Sequence, residues 1–440
     1  MEIGKKMATL DSLYDTLSSI VGDAGILPDD QVTGYTVDDI LPKVVIVPAD
    51  KSEMQDVLRI ASERNVSVIP AGSGSKLSIG NVVPEIGIVM STKRLNKVIE
   101  YEPADLTVTV ESGIRLSDLQ KELAVHRQYL PLNPPYADNC TIGGIVATNS
   151  SGPLRLQHGT ARNLVLGLHV MLANGTVVKS GGKVVKNVAG YDLNKLYIGS
   201  YGTLGIITEV SLKLSPIPPH ETIFSAQYDT IQKAIHDGLS IVSSQVLPSY
   251  VVLMTECAVN GLSEQDPTLF VGFGGEAGTV SWQLDSTQSQ MEQNGAKSVH
   301  IIEGESQDRI GHEIQEYSAA DKVCNRIIIR VNLKRTDLSK FAEAAHELTS
   351  DMMFHLGNGV AYLRLPVTNG DDFETTVGSI SKLRQQVIGM KGNLTIESAP
   401  PELKQHLDIW GPVGNTLDLM KHIKTKFDSK RILNAGRFVT

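Results

Sequence analysis

The chain has 440 residues, 41% hydrophobic and 20% charged, which excludes a disordered or fibrous protein and, at about 150 residues per domain, predicts two to three domains. Its 49 acidic and 40 basic side chains give a net charge of −9, so it lacks the basic footprint of nucleic-acid-binding proteins. Three cysteines, Cys140, Cys257 and Cys324, provide neither a disulfide framework nor a metal-site spacing, which indicates a reducing, cytoplasmic setting.

An amphipathic helix is predicted over residues 8–22. Leu10, Leu13, Leu17 and Val21 recur there at helical spacing, and aspartates interrupt the run, so it is not a signal peptide. The longest uncharged stretch, from Gly238 to Thr255, contains serines and a proline and is not expected to span a membrane.

Strands and two helices are predicted in the next part of the chain. The helix after the first strand has Asp50 as a candidate cap and one apolar face. A second helix should run from Ser117, which forms a capping-box pattern with Gln120, to about His126. The predicted strands cover residues 44–47, 66–69, 86–90, 98–101, 106–111, 165–172 and 206–214.

Three segments with small side chains can approach a ligand closely. The first, Ala71–Lys76, follows a strand but lacks the Gly-Lys-Ser/Thr of a P-loop, and on its own it is equally well explained as a turn. The second, Thr141–Gly152, has so little side-chain bulk that a flat ring could lie against it. The third joins a helix to a strand through Gly199, Gly202 and Gly205.

A proline-rich stretch at residues 216–219 marks a boundary, and the sequence predicts domains over 1–217, 218–398 and 399–440. No internal repeat is visible in the second domain. The third segment contains a helix for which Asn415 is the candidate cap. Its basic run is interpreted as a solvated face, and consists of Lys421, His422, Lys424, Lys426, Lys430 and Arg431.

Taken jointly, the order and spacing of the three segments resemble flavoproteins with the FAD-binding domain of the p-cresol methylhydroxylase (PCMH) and vanillyl-alcohol oxidase type. Within that family the resemblance is to the FAD-binding subunits of glycolate oxidase. Supporting stretches are Ser151–Pro153, Gly182–Asp192, Ile409–Pro412 and Leu433–Phe438, the last with Ala435 in place of a proline. The resemblance implies an α+β fold with a two-lobed FAD-binding domain, an α+β cap domain, and a C-terminal segment that packs back on the first domain.

The resemblance also implies which residues would hold the FAD, and that the FAD is noncovalent, because Ser75 stands where tethering relatives often carry a histidine. Cys140 is favoured as a structural thiol, with a flavin link or a reactive thiol as the alternative. The implied contacts are Ala71, Gly72, Ser73, Gly74, Ser75 and Lys76 around the pyrophosphate, then Thr141, Gly143, Gly144, Ala147, Thr148, Asn149 and Gly152 along the pyrophosphate and the isoalloxazine, and Gly202, Gly205 and Ile207 near the adenine.

Metal and base positions of related 2-hydroxy-acid dehydrogenases are degenerate in this chain. His355 is retained, but Asn358 and Tyr362 replace an aspartate and a second histidine, and Ser398 follows Glu397 where a third histidine is usual. The sequence therefore predicts no metal site, interprets His355 as a packing side chain, and leaves the catalytic residues unassigned. Three arginines in apolar strands are candidates for holding a carboxylate, although an internal ion pair is favoured, and these are Arg326, Arg330 and Arg364.

The leading hypothesis is an FAD-binding subunit of a glycolate or 2-hydroxy-acid dehydrogenase complex. The resemblance implies a homologous larger flavoprotein subunit and an iron–sulfur subunit as partners, since three cysteines cannot hold a cluster. The alternatives are a self-sufficient FAD oxidoreductase and a non-catalytic electron-relay subunit. We expect no nucleic-acid partner, and a cytoplasmic protein that partners can hold at the inner face of the membrane.

Overall fold

The computed structural model describes residues 13–182, 192–256, 266–320, 326–367 and 371–438. These residues form an α+β protein, and its strands belong to sheets of three, five and eight strands and a two-stranded ribbon of Gln128–Tyr129 with Ser215–Pro216. The N-terminal helix covers residues 13–21 of the described part. The predictions that concern residues 183–191, Cys257 and Cys324 lie outside the described residues.

The first lobe is a three-stranded parallel sheet in the order Val44–Ile46, Ile88–Ser91, Val68–Ala71. Helix Lys51–Glu63 connects its outer strands, and its cap is confirmed, because the Asp50 carboxylate accepts hydrogen bonds from the backbone N–H groups of two first-turn residues. Its buried face is the predicted one, and consists of Met54, Val57, Leu58 and Ala61.

The second lobe is a five-stranded antiparallel sheet in the order Val98–Glu102, Thr107–Glu111, Ile206–Lys213, Val165–Met171, Val177–Gly181. The strand at its centre enters directly from Gly205, so the third glycine segment is fixed at the end of this sheet. The sheet and the helices packed on it enclose a separate apolar core.

One predicted helix cap in this lobe is wrong. The helix covers Leu116–Ala124 and has no side-chain cap. Ser117 donates instead to the carbonyl of Asp138, and the Gln120 amide forms hydrogen bonds with the backbone of Leu130. Because these contacts with distant residues occupy both side chains, the capping box does not form.

The second domain contains a repeat of topology that the sequence did not reveal. Its eight-stranded antiparallel sheet is built from two successive β-α-β-β-α-β units, each with the strand order fourth-first-third-second, joined edge to edge through their second strands. Across the sheet the strands are Ser298–Ile302, His220–Gln227, Thr268–Gly275, Tyr250–Met254, Met352–His355, Val360–Pro366, Arg326–Asn332 and Asn393–Ser398. The four helices of the units are Ile231–Val242, Ala277–Gln293, Leu338–His346 and Asp371–Gly389, with Glu305–Glu316 between the units.

The short helices are placed mainly in the connections. The α-helical ones are Asp29–Val32, Ile142–Thr148, Arg155–His158, Ala161–Leu164, Asn194–Tyr197 and Pro401–His406. The 3-10 turns are Asp23–Gly25, Thr33–Tyr35, Pro103–Asp105, Arg335–Asp337, Leu356–Asn358 and Gly414–Thr416.

The C-terminal segment contacts both domains. Leu403 and Leu407 pack in the core of the second domain, and Ile432 and Leu433 are buried in the core of the first lobe. The main helix of this segment is Leu417–Phe427, whose N-cap is not Asn415, because no side chain caps it and its start continues a 3-10 turn. No helix in the described ranges is long and apolar enough to cross a membrane.

Lys424 does not belong to a solvated basic face. Its ammonium is buried, donates to the carbonyls of Thr203 and Leu433 at 2.8 Å each, and pairs with Asp428 at 2.7 Å. Burial lowers the pKa of Lys424, and the Asp428 carboxylate opposes that shift. Its neighbours Lys421 and Lys426 are exposed, as expected for a helix with one packed side.

Candidate functional site

A cleft between the two lobes brings the three glycine segments together. It encloses about 990 Å³ of space, including its open mouth. Fourteen of the sixteen residues predicted as contacts line it: Ala71, Gly72, Ser73, Gly74, Ser75, Lys76, Thr141, Gly143, Gly144, Ala147, Thr148, Gly202, Gly205 and Ile207. Three segments, of which the first and the third are more than 100 residues apart in the sequence, therefore form one concave surface.

The first segment offers backbone donors to this cleft. It follows strand Val68–Ala71 and turns without forming a helix. Among the described residues, no acceptor is found for the backbone N–H groups of Ser73, Gly74 and Ser75. A row of free N–H groups in a turn is the usual cradle for a phosphate.

The glycines of the cleft divide into two kinds according to what a side chain at each would meet. A Cβ on Gly143 would lie 2.7 Å from Ser112 Cβ, and one on Gly205 would lie 2.5 Å from Val170 Cγ1, so both glycines permit close packing within the fold. A Cβ on Gly144 meets only Thr141 Oγ1, at 3.2 Å, and otherwise points to open space. Packing therefore explains Gly143 and Gly205 without a ligand, whereas it does not explain Gly144.

Asn149 and Gly152 do not line the cleft. Asn149 ends helix Ile142–Thr148 in the left-handed conformation, with φ of 48°. A Cβ on Gly152 would overlap the backbone oxygen of Asn133, so this glycine is required by a close approach of two backbones. Within the second segment, Asn149 and Gly152 therefore support the packing beneath the cleft and do not line it.

Among the other residues that line the cleft are Tyr201, Trp410, Asn434 and Arg437, none of which the sequence reasoning assigned to a site. Tyr201 and Trp410 have ring centroids 4.7 Å apart, and the Trp410 indole donates to the Arg437 carbonyl at 2.9 Å. Asn434 lines the cleft with its side-chain oxygen buried and without a hydrogen-bond partner in the described residues. The Leu433–Phe438 stretch could have identified Asn434 and Arg437 as site residues, but it was used only to support the family resemblance.

Two buried cations of the C-terminal segment bind carbonyl groups next to the first glycine segment. Lys404 donates to the Ser78 carbonyl and pairs with Asp38. Arg437 donates to the carbonyls of Leu77 and Ile79, and its guanidinium lies 3.6 Å from Asp38. Because these carbonyls point to the C-terminal segment, the segment holds the end of the glycine loop in place.

A smaller, narrow chamber adjoins the cleft at the interface of the two domains. The first domain contributes Lys76, whose ammonium lies 3.0 Å from Ser150 Oγ, and the hydroxyl of Tyr201. From the second domain, Arg330 and Glu397 lie on neighbouring strands with a guanidinium-to-carboxylate distance of 3.6 Å. The remaining lining residues are Ile79, Pro135, Thr148, Ser150, Ser151, Ser318 and Tyr362.

Positive charge exceeds negative charge at this chamber. Arg155 does not line the chamber but interacts electrostatically with Arg330 and Glu397, so two guanidinium groups act on one carboxylate there. Burial lowers the pKa of Arg155, and repulsion from Arg330 adds to that effect. The carboxylate of Glu316 also acts on Lys76, but its oxygens accept hydrogen bonds from the backbone at residues 136 and 137. Unbalanced buried positive charge of this kind is suited to an anion.

His355 is buried beside the chamber rather than in it. Its ring centroid is 5.6 Å from that of Tyr362, and neither ring nitrogen has a hydrogen-bond partner in the described residues. Burial lowers its pKa to about 3, with repulsion from Arg155 and Arg330 adding to the effect, so the ring is neutral. These contacts agree with its interpretation as a packing side chain.

The other two candidate arginines are separate from the cleft and the chamber. Arg364 stacks on the Tyr317 ring, with its guanidinium carbon 3.9 Å from the ring centroid, and donates to the Tyr317 carbonyl. Arg326 borders an open groove elsewhere on the second domain. Of the three arginines, Arg330 alone lines the chamber, and it forms the expected internal ion pair.

Cys140 lines the cleft but is an unreactive thiol in this environment. It is buried, and its Sγ lies 3.8 Å from the Ala137 carbonyl. Burial raises the pKa of Cys140 to about 12, which keeps it as the protonated, weakly nucleophilic form.

Comparison with known proteins assigns the chain to a family. The profile of the family described as "FAD binding domain" matches residues 42–181, and that of "FAD linked oxidases, C-terminal domain" matches residues 217–438. The glycolate oxidase subunit GlcD of Bacillus subtilis is 28% identical over 417 residues, which cover 90% of this chain and 89% of the relative. The D-lactate dehydrogenase of Archaeoglobus fulgidus is also 28% identical, over 90% of this chain and 91% of the relative.

Solved structures agree on the fold. p-Cresol methylhydroxylase with substrate bound superposes with a TM-score of 0.77 over 97% of this chain and 96% of that chain, at 16% sequence identity. Alkyldihydroxyacetonephosphate synthase superposes with a TM-score of 0.76 over 97% of this chain. At these identities the likeness concerns the architecture alone, which is that of the PCMH type.

Proposed function

The chain belongs to the FAD-linked oxidases and is an FAD-dependent oxidoreductase, and from that premise we propose that it is the FAD-binding subunit of a complex that dehydrogenates a small 2-hydroxy acid. FAD supplies the two-electron acceptor in such a reaction. The chain's own residues would bind the cofactor, hold the acid next to it and exclude water. The electrons would then pass to a partner protein.

We propose that the cleft holds FAD through the residues inferred from the sequence, and without a covalent link. The free N–H groups of Ser73, Gly74 and Ser75 suit the pyrophosphate charges, and the open face at Gly144 suits a flat ring. The unpaired oxygen of Asn434 provides an acceptor for a ring N–H group. Two of the sixteen predicted FAD contacts, Asn149 and Gly152, would act only by supporting this surface.

The observation that carries the proposal of an acid substrate is the charge at the chamber. Arg330 lines it and Arg155 acts electrostatically on Arg330, so two guanidinium groups act on the single carboxylate of Glu397. A carboxylate that entered the chamber would restore the charge balance and could bond the Arg330 Nε–H group, which is buried without a partner in the described residues. The chamber adjoins the cleft, so a small acid held there would lie beside the cofactor.

The partner part of the proposal is supported by the relative named as a glycolate oxidase subunit and by the sequence resemblance. We propose a homologous larger flavoprotein subunit and an iron–sulfur subunit as the partners. We further propose that they hold the chain at the inner face of the membrane. Purification from the native source, followed by identification of the chains that accompany it in the soluble and membrane fractions, tests this part.

Anaerobic mixing of the FAD-loaded protein with glycolate or D-lactate tests the substrate part. We expect the flavin absorbance to bleach, and to return when the proposed partners or ferricyanide are added. Rapid return with dioxygen alone would indicate a self-sufficient oxidase. Failure of every 2-hydroxy acid to bleach a flavin that is still photoreduced normally would indicate an electron-relay subunit without a substrate of its own.

A further inference from the structure

Lys76 is the titratable cation that belongs to both cavities. It is the last residue of the first glycine segment and lines the cleft as well as the chamber. Its ammonium donates to Ser150 Oγ at 3.0 Å, and the described groups that act on its charge are Glu397, Arg330, Cys140 and Glu316. A side chain in this position reaches the place where a substrate in the chamber would meet a cofactor in the cleft.

We propose that Lys76, as the neutral amine, accepts the hydroxyl proton of a 2-hydroxy acid that is held in the chamber. This inference rests on the proposed function and adds to it the residue that was unassigned from the sequence. The amine at the end of a four-carbon chain can present its lone pair to a substrate hydroxyl without movement of the backbone.

The other titratable groups near the chamber are less suited to this role. Glu397 is paired with Arg330. Burial raises the pKa of Tyr201 and of Tyr362, so both phenols stay protonated near neutral pH and can donate but not accept a proton. His355 lines neither cavity, and its lowered pKa makes it a poor proton acceptor.

The surroundings of Lys76 favour an amine that can lose its proton. Burial lowers the pKa of Lys76, Glu397 opposes the shift, and the nearby Arg330 guanidinium adds to it. A general base is most effective when its pKa lies near the working pH, and buried lysines reach that range. In the neutral form, one N–H of Lys76 can still donate to Ser150 Oγ, which leaves the nitrogen lone pair for the substrate.

The step balances as follows. The O–H bond of the substrate breaks and its proton joins the Lys76 lone pair to form the ammonium. The hydrogen on the same carbon leaves with its electron pair to the oxidant, FAD, and the hydroxyl carbon becomes the carbonyl of a 2-oxo acid. Arg330 holds the carboxylate throughout, and the ammonium returns its proton to water after the product leaves.

The FAD-loaded protein provides the test, with glycolate and D-lactate as substrates. We expect Lys76→Ala to slow flavin reduction by about 100- to 10,000-fold. The wild-type rate should fall at low pH as Lys76 takes up a proton, and this fall should be absent in Lys76→Ala. Added methylamine should restore part of the rate in proportion to its free-base concentration, which a merely structural role would not produce. Lys76→Arg, which keeps the charge, should be as slow and should not respond to methylamine, whereas Lys421→Ala, on an exposed helix face, should react normally.

Two readouts do not depend on turnover. Oxalate binding, followed by the shift of the flavin spectrum, should persist within about threefold in Lys76→Ala and be lost in Arg330→Met. Competitive reductive methylation over a pH series, read by mass spectrometry, should give Lys76 a lower pKa than Lys421. A Lys76→Ala protein that reduces its flavin within threefold of the wild-type rate would overturn the inference, as would a labelling pKa equal to that of Lys421.

Failure of the inference and failure of the proposed function can be told apart. If wild-type flavin is bleached and the Lys76 variants are bleached equally fast, the base role alone is wrong. If no 2-hydroxy acid bleaches the wild type, the substrate proposal is wrong and the base role falls with it. If Lys76→Ala does not retain FAD, the rate of Lys76→Arg and the pKa of Lys76 from the labelling test the base role instead. If a Lys76 variant loses oxalate binding in parallel with its rate of flavin reduction, Lys76 binds the anion and is not the base.

Discussion

The neighbouring glycines Gly143 and Gly144 allow packing within the fold to be separated from contact with the cofactor. Both lie in helix Ile142–Thr148, but a Cβ at Gly143 would press on Ser112, 2.7 Å from its Cβ and 2.9 Å from its backbone oxygen. A Cβ at Gly144 would meet Thr141 Oγ1 at 3.2 Å and then the open cleft. The same substitution should therefore have opposite consequences at the two positions.

Gly144→Ala should leave the FAD-free protein as stable as the wild type or more so, because alanine is favoured over glycine in a helix by about 1 kcal/mol. Its methyl group should instead weaken FAD binding. An overpacking cost of about 1–3 kcal/mol corresponds to a dissociation constant roughly 5- to 150-fold larger, and Gly144→Val should abolish FAD retention while the second domain stays folded. Gly143→Ala should place the same cost of about 1–3 kcal/mol on the folded chain, whether or not FAD is bound.

Melting temperatures of the FAD-free and FAD-loaded proteins, together with titration of FAD by fluorescence quenching, measure both effects. For a domain of this size, 1 kcal/mol shifts the melting temperature by roughly 2–4 °C. We expect Gly143→Ala to lower both melting temperatures, and Gly144→Ala to reduce only the stabilisation that FAD provides. Normal FAD affinity in Gly144→Ala, or an unchanged FAD-free melting temperature in Gly143→Ala, would refute the assignment of the two faces.

Denaturation of the FAD-loaded protein should release intact FAD, because Ser75 offers no side chain for a covalent link. Flavin that stays with the precipitated protein would contradict a noncovalent cofactor. Lys424→Met should lower the free energy of unfolding by about 3–5 kcal/mol, since it leaves the buried Asp428 carboxylate unpaired, whereas the exposed control Lys426→Met should change it by less than about 0.5 kcal/mol. Equal urea midpoints for those two variants would show that the pair is not buried. His355 should make the protein less stable as the pH falls from about 6.5 toward its folded-state pKa of about 3, because only the unfolded state takes up its proton. His355→Leu should therefore reduce the slope of unfolding free energy against pH between 4 and 6 by up to about 1.4 kcal/mol per pH unit, and an unchanged slope in urea titrations would show that the native ring is protonated there.

The elements that could be predicted from the sequence are those determined by neighbours in the chain. The helix after Asp50 was predicted with its cap and its buried face, because both depend on residues within a few turns. The strand positions followed for the same reason. The cap at Ser117 failed because a distant carbonyl, that of Asp138, binds its hydroxyl, and no local pattern reports that competition.

The repeat in the second domain could not be predicted, because it is a repeat of topology. The two units align through strand order, and their buried positions need only be apolar and of suitable size. Val252 and His355 show this at the junction: they are directly paired across the two second strands and have no chemical similarity. A repeat of this kind is visible only when strand pairing is known.

The chamber was signalled by the sequence, although its composition was not. An arginine within an apolar strand, such as Arg330, is costly unless a partner or a ligand meets it, so its presence already indicated an ion pair or a site. The structure has both, because Glu397 pairs with it while its Nε–H group stays unpaired in the described residues. Arg155 carried no such signal, since nothing in its own short helix shows that it faces the second domain.

The return of the C-terminal segment explains how a loop of small residues can be rigid enough to bind an anion. Successive peptide groups in a turn present N–H and carbonyl groups in different directions, so a cation that binds the carbonyls also fixes where the N–H groups point. Lys404 and Arg437 bind the carbonyls of residues 77, 78 and 79, directly after the free N–H groups at 73–75, and Lys424 binds the Thr203 carbonyl beside Gly202. The geometry of the cleft thus depends on three cations more than 200 positions later in the chain, which is why the glycine motifs alone could not establish it.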